Sequence, residues 1–326
     1  MMDTLLQLEI NLTLFLQSLG GWLNYPMQLF SFFGTQYFYI LILPAIYWCI
    51  DSAIGIRIAV MLVFSVSTNS YIKLLFHTPR PYWVDSRVKA FSSETSFGLP
   101  SGHSQNAVSL WGTLALEFKK RWLTIVCVCL IILIGLSRIY LGVHFLHDVL
   151  GGWLAGGILL LLLWKLDKPV TRWITSRTFS SQILIVFAIS VVLVLLGELT
   201  AWISRQTPIP QSWINQALAS TGVAPDPYSL TGVYSIAGVF LGFGSGLAWL
   251  IHRYAGYKVE GNIRQKIVRL IVGLISTGLI YILVKLVIPA DPAWLANIVT
   301  FIGYALIGAW VAAGAPVLFK RLELDK

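Results

Sequence analysis

Nine long apolar runs dominate the chain, at about 27–50, 54–76, 104–118, 122–140, 146–166, 181–203, 229–251, 267–288 and 295–317. A helix rises 1.5 Å per residue, so roughly 20 residues cross the hydrocarbon of a bilayer. Lipid offers no partner to a backbone N–H or C=O, and runs of this length satisfy both internally only as helices. Of the 326 residues, 57% are hydrophobic and 11% are charged, a balance that soluble domains do not reach. The expectation is an all-α, polytopic membrane bundle of about nine transmembrane helices. The 104–118 run is short and can continue back to Ser101. A further apolar stretch, 3–19, is interrupted by Asp3, Glu9, Asn11 and Gln17 and has no Lys or Arg before it. It reads as an interfacial helix, not as a cleavable signal peptide.

Positive charge sets the orientation, because cytoplasmic loops collect Lys and Arg. Most of the 23 basic residues fall on one side of the runs: Arg57, Lys119 to Arg121, the 165–177 and 253–269 segments, and Lys320, Arg321 and Lys326. That side is assigned to the cytoplasm, with the C-terminus. The minority, including Lys73, Arg80 and Arg138, lie at span ends or loops on the opposite side. The net charge of +9 is then accounted for by topology and anionic inner-leaflet lipid, and gives no reason to expect nucleic acid. The cysteines, Cys49, Cys127 and Cys129, sit inside apolar runs with neither disulfide nor zinc spacing.

Three short segments on the non-cytoplasmic side carry the polar chemistry. The first runs from Lys73 through His77 to Arg80-Pro81. The second is Pro100-Ser101-Gly102-His103, directly before an apolar run: an N-capping Ser, an unobstructed Gly amide and the positive end of a helix form an anion site. The third is Ser137-Arg138, then His144, His147 and Asp148. His144 and Asp148 are four apart, so on a helix they share a face and the carboxylate can orient the imidazole; His147 points elsewhere and reads as a bystander. Three cations, a helix N-terminus and two histidines form a phosphoryl-transfer inventory. Lys73, Arg80 and Arg138 would stabilise charge on the equatorial oxygens, with Ser101 and the Gly102 amide holding one of them. His144 would attack phosphorus and His103 would serve as acid and then base.

The pattern Lys-x6-Arg-Pro, Pro-Ser-Gly-His and Ser-Arg-x5-His-x3-Asp resembles the signature of the type 2 phosphatidic acid phosphatase and haloperoxidase superfamily, in order and spacing across 73–148. The resemblance implies a six-helix core over roughly 27–203, with His144 as nucleophile, Asp148 as its orienting partner and His103 as acid. It also implies a phosphate cradle of Lys73, Arg80, Ser101, Gly102 and Arg138, and catalysis without a metal or other cofactor. The stretches 33–39 and 47–51 look like the branch acting on sphingoid-base phosphates, although Gly102 stands where that branch would carry Thr. Substrates therefore range over sphingoid-base phosphate, phosphatidate, phosphatidylglycerophosphate and polyprenyl diphosphate.

The expected organisation is a phosphatase core over 1–203, comprising the interfacial helix and six spans, followed by C-terminal transmembrane helices over 204–326. The Pro-bearing polar connection at 204–228 separates them. The expected function is hydrolysis of a lipid phosphate monoester or diphosphate, through a phosphohistidine, on the non-cytoplasmic face. The expected partners are a phosphorylated lipid and the bilayer. The expected setting is a bacterial inner membrane with a periplasmic site; an endoplasmic reticulum with a lumenal site obeys the same charge rule. The alternatives are a sugar-phosphate phosphatase of the same mechanism, a vanadate-dependent haloperoxidase, a metal hydrolase liganded by His103, His144 and Asp148, and a lipid transporter or flippase using the same pocket.

Overall fold

The computed structural model describes residues 2–324; Met1, Asp325, Lys326 and the side chains of Met2 and Asp3 lie outside the described residues. The regular structure among those residues is helical, with no strand. The helices are α1 Met2–Ser18, α2 Asn24–Phe32, α3 Gln36–Cys49, α4 Ser52–Phe76, α5 Pro81–Val84, α6 Gly102–Ala107, α7 Thr113–Phe118, α8 Arg121–Tyr140 and α9 Leu146–Thr175. They continue as α10 Phe179–Ser204, α11 Gln211–Thr221, α12 Thr231–Tyr254, α13 Ile263–Val287, α14 Ala293–Ala309 and α15 Ala315–Arg321.

Seven of the described helical stretches are long and apolar enough to span a membrane, and an eighth is the pair Gly21–Phe32 and Gln36–Cys49, bent by 48°. The chain is thus a multi-pass integral membrane protein. The count of nine is not confirmed, because the helical stretch from Gly102 to Phe118 is short for a span. A π turn, Val108–Gly112, separates α6 from α7, and Lys119 ends α7 in the left-handed region at φ 51°. Each piece is six residues long.

The contacts divide the chain into two compact units. One comprises 1–39, 64–162 and 198–229; the other comprises 40–63, 163–197 and 230–326. Every motif residue named above belongs to the first unit. Its apolar centre includes Tyr82, Trp83, Phe97, Tyr140, Val143 and Phe145, with Ile10 of α1 and Ala217 of α11 packed among them. The polar connection expected at 204–228 therefore contributes a helix to this core.

In the second unit, glycines Gly238, Gly242 and Gly246 recur every four residues on α12. A Cβ at Gly242 would lie 1.7 Å from the Ala305 carbonyl oxygen, so only glycine admits α14 this closely. A π turn at Trp310–Gly314 disturbs the helical ladder, and the nearby carbonyls of Val311 and Ala312 accept from Trp48 Nε1 at 3.0 Å and Tyr47 Oη at 2.8 Å. Arg269 is fully buried and donates to the carbonyls of Trp48, Glu260 and Leu324, closing this end of the unit.

Candidate active site

One polar face of α4 begins the site. Ser65, Asn69 and Lys73 are spaced four apart, so they stack along a single stripe of the helix. Asn69 donates to the Pro100 carbonyl at 3.2 Å and to Gln105 Oε1 at 2.8 Å, while Gln105 donates to the Ser65 carbonyl at 2.8 Å. This buried amide network fastens the Pro-Ser-Gly turn to α4, one helical turn below Lys73. Ser101 is the N-cap of α6, accepting from the Ser104 amide and hydroxyl at 3.4 and 3.0 Å. The Ser101 amide donates to the Asp148 carbonyl at 2.8 Å, which joins the second motif to the third. At Gly152 on α9 an added Cβ would stand 2.6 Å from the Ser101 carbonyl, so the cap and α9 pack at backbone contact.

The third motif folds back at the end of α8. Gly142 takes φ +74°, the left-handed conformation that ends helices, and the amides of Val143 and His144 both reach the Arg138 carbonyl at 3.3 Å. The reversal brings His144 back toward Arg138. His144 precedes α9 and is not on it, so its contact with Asp148 does not come from a shared helical face. It comes instead from Asp148 Oδ2 in the first turn of α9, which accepts from the Phe145 amide at 3.0 Å and faces His144 Nδ1 at 3.1 Å.

His144 is 1% exposed and Asp148 is fully buried. With Nδ1–H donating to Asp148, the lone pair of His144 Nε2 accepts from Arg80 Nη1 at 3.1 Å. Burial, and then the charges of Arg80, Lys73 and Arg138, hold the His144 pKa well below the ordinary imidazole value. The neutral imidazole keeps a nucleophilic nitrogen, aimed at a guanidinium.

The remaining cations are held by the loop between α5 and α6. Arg80 donates to the carbonyls of Ser96 at 2.6 Å, Val143 at 2.8 Å and Phe97 at 3.1 Å, while Lys73 Nζ donates to the carbonyls of Phe97 and of Gly98, the latter at 2.9 Å. Arg138 donates to Ser31 Oγ at 2.6 Å and pairs with the Glu94 carboxylate, whose other oxygen lies 4.0 Å from Arg80. The Arg138 Nε has no hydrogen-bond partner among the described residues. Tyr82 Oη donates to the Glu94 carbonyl at 2.9 Å and accepts from its amide at 3.1 Å, so this carboxylate is aimed. Burial opposes the charge of Glu94, but the guanidiniums of Arg138 and Arg80 outweigh it and hold its pKa at about 2.

His103 lies on the first turn of α6, where the charges of Arg138, Glu94, Arg80 and Lys73 all act on its ring. Gly34, at the bend between α2 and α3, makes room for it: a Cβ there would meet His103 Cδ2 at 2.9 Å. All the sequence-predicted site residues thus occupy one compact unit. Direct contacts link His144 with Asp148 and Arg80, and Arg80 and Lys73 share the Phe97 carbonyl. Among the described residues, no group of three or more His, Cys, Asp or Glu side chains is placed to hold a metal ion.

Sequence reasoning missed Glu94, Glu9 and the part played by His147. Glu94 lies in a polar loop with no helical or strand periodicity, and Glu9 reads as an interruption of an interfacial helix. A carboxylate at 94 between two arginine-bearing motifs was the one signal available. His147, read as a bystander, has its Nδ1 2.6 Å from Glu9 Oε2 and its Nε2 3.3 Å from Asp148 Oδ1.

The PAP2 superfamily model matches residues 54–172, and the model of the PAP2 superfamily phosphatase transmembrane extension matches 234–326. The chain belongs to the PAP2 superfamily. The first PAP2 match contains all three motifs. Phosphatidylglycerophosphatase B of Bacillus subtilis (strain 168) is 38% identical over 89 residues, which cover 24% of this chain and 44% of that protein. Sphingosine-1-phosphate phosphatase 2 of Homo sapiens is 30% identical over 146 residues, 42% of this chain and 36% of that one. The chain thus spans less than half the length of these curated relatives. A crystal structure of a transmembrane PAP2 type phosphatidylglycerolphosphate phosphatase from Bacillus subtilis is 26% identical, with a TM-score of 0.40, covering 49% of this chain and 86% of that one.

Proposed function

We propose that this PAP2 protein is a membrane phosphatase that hydrolyses a lipid phosphate monoester or diphosphate through a phosphohistidine at His144, on the non-cytoplasmic face. The observation that carries the reading is the buried His144 imidazole, held by Asp148 on one nitrogen and aimed by the other at Arg80. A neutral, oriented nitrogen beside a guanidinium is a nucleophile at an anion site. His144 Nε2 forms a bond to phosphorus as the P–O bond to the lipid breaks, and Lys73, Arg80 and Arg138 offset charge on the equatorial oxygens. His103 gives its proton to the leaving alkoxide. It then takes a proton from water, which attacks the phosphohistidine, releasing inorganic phosphate and restoring His144. Ser101 and the Gly102 amide hold a non-bridging oxygen.

In this reading residues 1–203, with α11 of the 204–228 connection packed into them, are the phosphatase core, and the helices from α12 onward are C-terminal membrane helices, in keeping with the extents of the two family matches. The substrate carries a phosphorylated headgroup on an apolar tail, as the names of the two relatives describe for theirs. The test is phosphate release by purified protein across glycerolipid, sphingoid-base, polyprenyl and sugar phosphates, with and without chelator. The expected result is turnover of a lipid phosphate that survives the chelator and falls by on the order of 10²–10⁴ in His144→Ala and in His103→Ala. Turnover persisting in His144→Ala, or preference for a sugar phosphate, overturns it.

A further inference from the structure

The site does not end at Asp148. Glu9 lies on α1, a helix whose side chains Leu6, Ile10 and Leu14 pack into the core around Phe145 and Tyr140. Glu9 is only 6% exposed, an unusual place for a carboxylate unless it is paired. Both its oxygens are used by one residue: Oε1 accepts from the His147 amide at 2.9 Å, and Oε2 faces His147 Nδ1 at 2.6 Å. The His147 ring stacks on Phe145, centroids 5.4 Å apart and planes 12° from parallel, which fixes its tilt. Its Nε2 is thereby held 3.3 Å from Asp148 Oδ1, the one carboxylate oxygen of Asp148 that makes no hydrogen bond. Asp148 Oδ2, in turn, faces His144 Nδ1.

We propose that Glu9 and His147 are positioning residues for the nucleophile: the Glu9-held His147 imidazolium keeps the fully buried Asp148 ionised, so that Asp148 can hold the His144 proton at Nδ1. The inference rests on the phosphatase reading. A buried carboxylate with the nucleophile's N–H on one oxygen and an imidazolium 3.3 Å from the other has its charge offset from both sides, and it remains an acceptor while positive charge grows on His144 during attack. The groups acting on Asp148 are His147 and His144 on its own side, and Lys73 and Arg80 from α4 and the turn after it. Those acting on His147 are Glu9 from α1 and Asp148. Through this chain, α1 becomes part of the catalytic unit and not only a membrane-surface anchor.

The test uses the full-length protein in detergent. The variants are Glu9→Gln, which keeps the acceptor for the His147 amide, His147→Gln, and the two combined. Phosphate release is followed as kcat/KM against pH, and the histidine rings are followed by nuclear magnetic resonance with labelled histidine. Each single variant is expected to lower kcat on the order of tenfold with KM little changed. The acid limb of the profile should move to higher pH, because Asp148 loses the cation that keeps it ionised. The double variant should be no worse than His147→Gln alone, since both act through one chain. In the resonance arm, His147 is expected to be charged at neutral pH in the wild type and to titrate lower in Glu9→Gln. Variants with unmoved pH profiles, whatever their thermal stability, overturn the inference. If the wild type releases no phosphate, the phosphatase reading fails, while the resonance arm still decides whether Glu9 holds His147 charged. A neutral His147 in the wild type overturns the inference on its own.

Discussion

At the scale of single residues, the three cations of the site are not equivalent. Arg80 spends its N–H groups on the carbonyls of Ser96, Phe97 and Val143 and on His144, so it organises the site as well as charging it. Arg138 shares its fork with Ser31 and Glu94, and its buried Nε is left without a hydrogen-bond partner among the described residues. Replacing Arg138 by Lys should therefore cost on the order of 10² in kcat/KM, since a point charge cannot reproduce a planar fork; steady-state phosphate release measures it. Glu94, an anion on that same fork, would compete with an incoming phosphate. Glu94→Gln should lower KM for a lipid phosphate about two- to fivefold, the range expected for one partly exposed ion pair, and vanadate inhibition should tighten in parallel. The same pair sets a pH dependence. The Glu94 pKa is depressed from 4.5 to about 2, so its contribution to stability is complete above about 4.5 and is lost as the pH falls toward 2. Thermal unfolding followed across that window should be steeper with pH in the wild type than in Glu94→Gln.

At the scale of elements, the site depends on how closely α4, α6 and α9 approach. Of the stripe Ser65, Asn69 and Lys73, sequence reading singled out Lys73 alone, and the clamping of the Pro100 turn through Asn69 and Gln105 required the fold. Gly152 and Gly156 set the other clearance, with the carbonyls of Ser101 and Gln105 only 2.6 and 2.7 Å from where their Cβ atoms would stand. Gly152→Val should push the Ser101 cap off α9, destabilise the protein by about 1–3 kcal/mol, and lower phosphate release more than it lowers helicity. Circular dichroism and turnover on the same sample compare the two. The helices α1 and α11 show where sequence reading stopped. Their apolar residues are too few for a span and their polar ones read as surface, yet Ile10 and Ala217 are core residues because α8 and α5 provide the complementary faces.

At the scale of the whole molecule, the distribution of Lys and Arg sets the expected orientation of the spans. With the native cysteines replaced, a single cysteine at exposed Ser93, in the loop over the site, should react with an impermeant maleimide from the non-cytoplasmic side of sealed vesicles. One at exposed Arg253 should react only from the opposite side. Reversed labelling would invert the topology. Hydrophobic run length was enough to establish a helical, multi-pass membrane protein, because backbone in lipid has few ways to satisfy itself. Motif spacing was enough to nominate His144, His103, Asp148, Lys73, Arg80, Ser101, Gly102 and Arg138, because phosphate chemistry demands particular groups in a workable order. Tertiary structure alone revealed the π turn that splits the 102–118 run, the Glu94 carboxylate on Arg138, and the Glu9 to His147 to Asp148 chain. Each of these depends on residues brought together from distant segments, or on a local helical irregularity with no periodic signature, and neither is written in the order of residues along one run.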